Sequence, residues 1–375
     1  MRPSIALALL ALSLPAFAQQ EVRIGSVFPV SGPSAHLGKD TENGARLAIE
    51  DLNASGFSVR GQKIKWVLLA EDDGGEPKQG TAAAQKLVDA KVAGVIGHLN
   101  SGTTLPASKI YHAAGIPQIT PSATAPTYTR QGFNTSFRLV VNDNKVGSIL
   151  GRYAAQTMKA KCVAIIDDRT AFGQGLADEF AKGWKAAGGG EIVSRQFTND
   201  KASDFSAILT QIRAKQPDLI FFGGMDAVGG PMIKQMRALG LRLPFMGGDG
   251  LCSEKLPHLA ADGLADDQVI CAVAGGVTGA QEDGMNRFVA RYEKRYGIPL
   301  QTYAPYSYDG VMLLANAMQK AGSTDPAVYL KELARIKYTG VTGQISFDAY
   351  GDLNDGAMTL YTYRKGKLTK LSVVR

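Results

Sequence analysis

Cysteine is scarce in this chain: three in 375 residues, with two tryptophans and four histidines. So few thiols cannot form a disulfide framework, and the histidines (His36, His98, His112, His258) and cysteines show no metal-ligand spacing. Neither a metal nor a cofactor is therefore expected. Beyond the first residues, no run of about 18 apolar residues occurs, which excludes a predicted membrane-spanning helix. Motifs for nucleotide chemistry are missing too. Gly32 and Gly38 have five residues between them, where a P-loop needs four, and Asp40 occupies the place of its Ser or Thr. The dinucleotide fingerprint is absent after the first strand-like run, and no G-x-S-x-G elbow occurs. The pairs Asp72-Asp73 and Asp167-Asp168 read as caps or loop-fixing bonds at strand ends. No enzymatic activity is expected.

What is present begins at the N-terminus. Arg2, the apolar run 5–14 and Ala16-Phe17-Ala18 have the form of a secretory signal with an A-x-A cleavage site. Cleavage after Ala18 is expected, giving a mature chain in the periplasm. Without Arg2, 40 basic residues stand against 34 acidic, a net charge of +6 spread over helix faces. No stripe suited to nucleic acid is seen. An exported chain can hold disulfides. Cys252 and Cys271 are expected to pair, closing a loop worth roughly 3 kcal/mol, and Cys162 to be a buried free thiol within an apolar run.

Short apolar runs at 22–30, 64–69, 93–97, 116–119, 162–166, 192–197, 219–223 and 269–273 alternate with amphipathic stretches. This rhythm predicts parallel sheets covered by helices on both faces, a doubly wound α/β pattern. It runs twice, over about 20–140 and 143–272. Successive helical stretches at 281–296, 306–321 and 325–336 follow, then strand-like pieces at 343–347, 359–363 and 367–371. The expected organisation is a signal at 1–18, one lobe from 19–142 and 273–356, and a second from 143–272 and 357–375.

The stretch 93–126 carries the functional signal. Ser101-Gly102-Thr103-Thr104 follow one apolar run where a helix should start, and Ser122-Ala123-Thr124 follow the next. Alone, each is an ordinary cap or turn. Two, one strand apart, would aim hydroxyls and unpaired N–H groups at one point, a site for a small anion such as a carboxylate.

These residues, with Ser31-Gly32-Pro33, Glu71-Asp72-Asp73, the run 119–126, Phe172-Gly173-Gln174-Gly175 and Phe222-Gly223-Gly224, resemble the periplasmic leucine/isoleucine/valine-binding proteins of ABC transporters. The resemblance implies two doubly wound lobes joined by a multi-strand hinge, in a type I periplasmic-binding-protein fold. It also implies capture of a free apolar amino acid by lobe closure, delivery to a membrane permease, and a monomer. By the same resemblance Ser101, with N–H groups near Gly102 and Thr103, takes the ligand carboxylate. Ser122 and Thr124, with Ala123 between them, take carboxylate and ammonium, and Asp249 pairs with the ammonium. Leu37, Phe172 and Met225 fall on side-chain-lining positions that are usually aromatic or carry a hydroxyl. Asp226 is left as an exposed helix cap or an amine contact, and Tyr303, Tyr306 and Tyr308 as contact or framing residues. The first-lobe disulfide of some members would need Cys near Gly75 and at Asn100, and is absent. Relatives with other ligands (aromatic or small amino acids, amides, urea, aromatic acids) and a stand-alone sensor are the alternatives.

Overall fold

A computed structural model describes residues 20–277 and 279–374; the expected signal segment lies outside the described residues. The first sheet has six strands: β1 (Gln20–Phe28), β2 (Ser58–Val59), β3 (Gln62–Asp72), β4 (Gly94–Gly97), β5 (Gln118–Thr120) and β6 (Ser136–Arg138). Their order is β2-β3-β1-β4-β5-β6, parallel except for the β2–β3 pair. Between them run α1 (Ala35–Ala54), α2 (Pro77–Asp89) and α3 (Ser101–Ala113).

The second unit has α4 (Asp143–Arg152), β7 (Cys162–Asp167), α5 (Ala171–Ala186), β8 (Glu191–Phe197), α6 (Ser206–Lys215), β9 (Leu219–Gly223), α7 (Asp226–Ala238), β10 (Phe245–Gly247), α8 (Leu256–Ala260) and β11 (Val269–Ala274). The chain then returns to the first lobe. There α9 (Ala280–Tyr296), α10 (Ala304–Ala321) and α11 (Pro326–Ala334) pack, with α10 lying on α1 and β4. After the small hairpin β12 (Tyr338–Gly340) and β13 (Gly343–Ile345), it ends in β14 (Met358–Arg364) and β15 (Lys367–Val374). These two join the second sheet antiparallel, giving the order β15-β14-β11-β10-β9-β7-β8.

The apolar runs become strands because helices cover both faces of each sheet. Every residue of β4 and β9 is buried, as expected for strands with no solvent side. β6 and β10, three residues each, carry too short an apolar run to stand out in the sequence. α1 begins at Ala35, directly after the Ser31-Gly32-Pro33 turn. Ser34 gives it no side-chain cap. Its first turns are held instead by burial of Leu37 and by Asp40, whose carboxylate accepts the N–H groups of Gln301, Tyr303 and Ala304 at 3.0, 3.0 and 2.9 Å. α1 and α10 are so close that a Cβ on Gly44 would lie 2.1 Å from the Ala304 carbonyl oxygen. Side-chain volume is excluded at that crossing, which sets where α10 begins.

Cys252 and Cys271 form the expected disulfide, with Cα atoms 5.5 Å apart. The bond ties the end of the β10 connection to the neighbouring strand β11. Cys162 is free, as expected, but partly exposed rather than buried. It opens its strand at the amino end of the sheet, where its thiol reaches the Gln216 carbonyl at 3.6 Å.

Candidate functional site

In an open α/β sheet the carboxyl ends of the strands hold the ligand, and here both sheets turn those ends toward one cleft. After β4, the chain enters α3 at Ser101; after β5, it turns through Ser122, Ala123 and Thr124. After β7 comes α5 with Phe172, after β9 comes Met225 ahead of α7, and after β10 comes Asp249. A cavity of about 370 Å³ opens between the units, lined by Pro33, Ser34, Asn100 and Gly102 on one side and Arg169, Phe172, Met225 and Val228 on the other. Deeper in, a smaller cavity is lined by Leu99, Asn100, Ser101, Ser122, Ala123, Phe172, Met225, Asp249 and Tyr303. Concavities of about 490 and 660 Å³ lie elsewhere, one at the amino end of β1 and one beside β14. Neither is lined by Ser101, Ser122, Phe172, Met225 or Asp249, so volume is a poorer guide than chemistry.

The two first-lobe turns are one unit. The Ser101 hydroxyl accepts the Ala125 N–H at 3.2 Å, which leaves its own proton to give away. Ser122 donates its hydroxyl to the Leu99 carbonyl at 2.9 Å, so it offers a ligand backbone rather than side chain. Arg138, fully buried at the end of β6, donates to the carbonyls of Ala123 and Ala125, each at 2.9 Å. Its charge is met by Asp352, with N–O distances of 2.9 and 2.8 Å. This clamp had no signal in the sequence: its members are 214 residues apart and belong to no motif.

Leu37, Thr103 and Thr124 are buried and stand behind the cavity lining. Leu37 belongs to the apolar core. Thr103 directs both its N–H and its hydroxyl to the Asn100 carbonyl, at 3.1 and 3.0 Å. What the start of α3 presents is the Ser101 hydroxyl and the Gly102 backbone. Gly75 and Asn100, where some relatives carry a disulfide, are spatial neighbours: a Cβ on Gly75 would lie 3.6 Å from Asn100 Oδ1.

Across the cleft, Asp249 is 5 % exposed and accepts the Tyr303 hydroxyl at 2.7 Å. Its other oxygen, Oδ1, has no hydrogen-bond partner among the described residues. Burial raises its carboxyl to about 6, and the Tyr303 bond opposes that rise. Of the three candidate tyrosines, Tyr303 reaches the site; Tyr306 donates to the Ala274 carbonyl at 2.5 Å and Tyr308 to Asp51 at 2.7 Å. A Cβ on Gly250 would meet Met225 Sδ at 2.6 Å and the Phe172 ring at 3.0 Å, so the apolar wall is seated directly on this backbone.

Asp226 is neither an exposed cap nor at the cavity surface. It is fully buried, because the start of α7 faces the other lobe, where His36 meets it at 2.7 Å; the Ser253 hydroxyl donates to the same oxygen. The paired acids Asp72, Asp73, Asp167 and Asp168 do fix loops, accepting N–H groups of Gly74, Gly75, Arg169 and Thr170. Among the described residues no helix is long and apolar enough to cross a membrane, and no group of three or more His, Cys, Asp or Glu could hold a metal ion.

Two α/β lobes that converge their strand ends on a cleft define a two-lobed solute receptor. The chain belongs to the periplasmic binding protein family, whose sequence profile matches residues 21–367. It is 34 % identical to "Leu/Ile/Val-binding protein homolog 1" of Brucella abortus over 356 residues, 95 % of this chain and 94 % of that one. With an "Amino acid binding protein" of Pseudomonas aeruginosa the identity is 35 % over 362 residues, covering 96 % and 95 %. Among solved structures, it superposes on the branched-chain amino acid transporter substrate binding protein LivJ of Streptococcus pneumoniae in complex with isoleucine, with a TM-score of 0.85 and 29 % identity, covering 95 % and 99 %. A solute binding protein from R. palustris in complex with benzoate shares the fold, with a TM-score of 0.80 at 22 % identity, covering 94 % and 96 %.

Proposed function

We propose that this chain captures a free apolar amino acid of the branched-chain class in the interlobe cleft and delivers it to the permease of an ABC transporter. Transport in this reading is done without chemistry on the ligand. Export and cleavage after Ala18 belong to the same proposal, as do lobes built from 19–142 with 273–356 and from 143–272 with 357–375.

The observation that carries it is the opposition of two charge-specific groups in one small cavity. On one side, Ser101 has a free hydroxyl proton at a helix start, the arrangement that suits a carboxylate. On the other, Asp249 offers a buried, unpartnered carboxylate oxygen, which suits an ammonium. A zwitterion satisfies both at once. Phe172, Met225 and Leu99 then supply the surface against which an aliphatic side chain is buried, at about 25 cal/mol per Å². Met225 is adaptable in shape, so several aliphatic side chains fit one wall.

The buried acid Asp249, which lines this cavity, disfavours a plain aromatic carboxylate, which brings a negative charge and no ammonium. The test is calorimetric titration of the purified chain with leucine, isoleucine, valine and benzoate. Saturable binding of the three aliphatic amino acids and none of benzoate is expected. Benzoate binding without amino-acid binding would overturn the reading.

A further inference from the structure

The concavity of about 660 Å³ beside β14 is larger than the cleft cavity and has no part in the reading above. One wall is a face of α9, on which Glu282, Met285, Asn286, Val289 and Glu293 recur at helical spacing. The other is a face of the last two strands, with Tyr361 from β14 and Leu368 and Lys370 from β15, Lys370 being directly opposite Tyr361. From Glu282 to Glu293 the helix rises about 16 Å, so the concavity is a groove. Met285, Val289, Tyr361 and Leu368 are all half-buried and give it apolar sides.

The groove joins the lobes. Three hydrogen bonds cross from the segment that opens α10 to the second lobe: the Thr302 hydroxyl to the Cys252 carbonyl at 3.2 Å, the Tyr303 hydroxyl to Asp249 at 2.7 Å, and the Tyr306 hydroxyl to the Ala274 carbonyl at 2.5 Å. Thr302 and Tyr306 line the groove and Tyr303 lines the ligand cavity, so one short segment is a wall of both. The groove's charges are unbalanced. Lys370 lies 3.6 Å from Glu282, and Lys367 acts on Glu254, but Glu293 has no ion-pair partner among the described residues. Gln301, also lining the groove, keeps its Oε1 buried with no hydrogen-bond partner among the described residues. Buried polar atoms are nearly always paired. Both residues ask for a donor, and the walls between them ask for an apolar body.

We propose that this groove is a second ligand site, for an elongated apolar amine, and that its occupant favours the arrangement in which the lobes are closed. The site goes beyond the amino-acid reading and does not depend on it; only the effect on solute affinity rests on that reading. An occupant that touches α9 and the β14–β15 pair at once binds the arrangement that holds them at this spacing. The same arrangement makes the His36–Asp226 and Tyr303–Asp249 contacts across the cleft. A ligand that prefers one arrangement shifts the population toward it, and the coupling is reciprocal: amine and cleft solute each tighten the binding of the other.

The test is calorimetric titration of the leucine-saturated chain with 4-phenylbutylamine and with 4-phenylbutan-1-ol, its neutral counterpart. Leucine occupies the cleft, so the heats report the groove. One amine per chain is expected, bound about fivefold or more tightly than the alcohol. Val289→Arg, which sets a long cation among the apolar residues, is expected to abolish binding of both. Glu293→Gln is expected to bring the amine down to the alcohol's affinity and to leave the alcohol unchanged. With the amine saturating, the unaltered chain is expected to bind leucine about fivefold more tightly. No amine binding overturns the inference, as does amine binding unchanged in either variant. Alcohol bound as tightly as amine overturns the amine class, and unchanged leucine affinity overturns the link to closure. If Val289→Arg does not fold, Glu293→Gln decides by the amine against the alcohol. A chain that binds no free amino acid overturns the amino-acid reading alone. The groove is then titrated directly, and small-angle scattering reads closure, an unchanged radius of gyration with the amine overturning the link.

Discussion

His36 Nε2 lies 2.7 Å from Asp226 Oδ2, so the second residue of α1 in the first lobe meets the first residue of α7 in the second. The Ser253 hydroxyl reaches the same oxygen. A contact of this kind exists while the lobes are together and is lost when they part. Lys201 and Glu76 also bridge the lobes at 2.5 Å, but both are exposed, and exposed pairs contribute little.

The His36–Asp226 contact therefore biases the closed form. Asp226→Asn and His36→Gln are each expected to weaken leucine binding by about three- to tenfold, through a smaller closed fraction rather than a lost ligand contact. Small-angle scattering checks the cause: the unliganded variants have a larger radius of gyration, and saturating leucine restores the compact one.

Removal of Ser101 or Asp249 acts on the ligand itself. Ser101→Ala and Asp249→Ala are each expected to weaken leucine binding by about tenfold or more, because each leaves a ligand charge without its partner in a buried site. Unchanged calorimetric affinity in both would disprove the site assignment.

Stability has a pH dependence of definite sign. Asp168, Asp249 and Asp309 are each held at about 6, burial being the leading cause in all three, against an ordinary value of 3.8. Between about pH 4 and 6 these groups bind more protons in the native chain than in the unfolded one. Their contribution to stability is thus present at low pH and lost as pH rises through that window. Denaturation midpoints of the unliganded chain at pH 4.5 and pH 7 measure the decline, and Asp249→Asn is expected to shrink it.

The disulfide is a local staple. Its residues are 19 apart in sequence, and both are fully buried. The paired substitution Cys252→Ser with Cys271→Ser is expected to cost about 3 kcal/mol in chemical denaturation. Leucine affinity should change little, since Cys252 and Cys271 do not line the site cavity.

Much of this was legible in the residues because the relevant physics is local. Apolar runs alternating with amphipathic stretches predicted doubly wound sheets, since a strand covered on both faces has no reason to alternate. Ser101 and Ser122 sat at strand ends in a recognisable pattern, and the cysteine pair was foreshadowed by its isolation. The sequence, by itself, thus determined the fold class and the family, and pointed to the strand ends as the candidate site.

Tertiary structure decided what local pattern cannot carry. It put Asp226 against His36, 190 residues away, and so turned an expected surface cap into a buried lobe contact. It selected Tyr303 over Tyr306 and Tyr308, because Asp40 fixes where α10 starts. It buried Leu37 in the core and brought Asp143 up behind Thr124. Each of these depends on which distant segment supplies the opposing charge or donor. That choice is made when the lobes pack, and no short window of sequence records it.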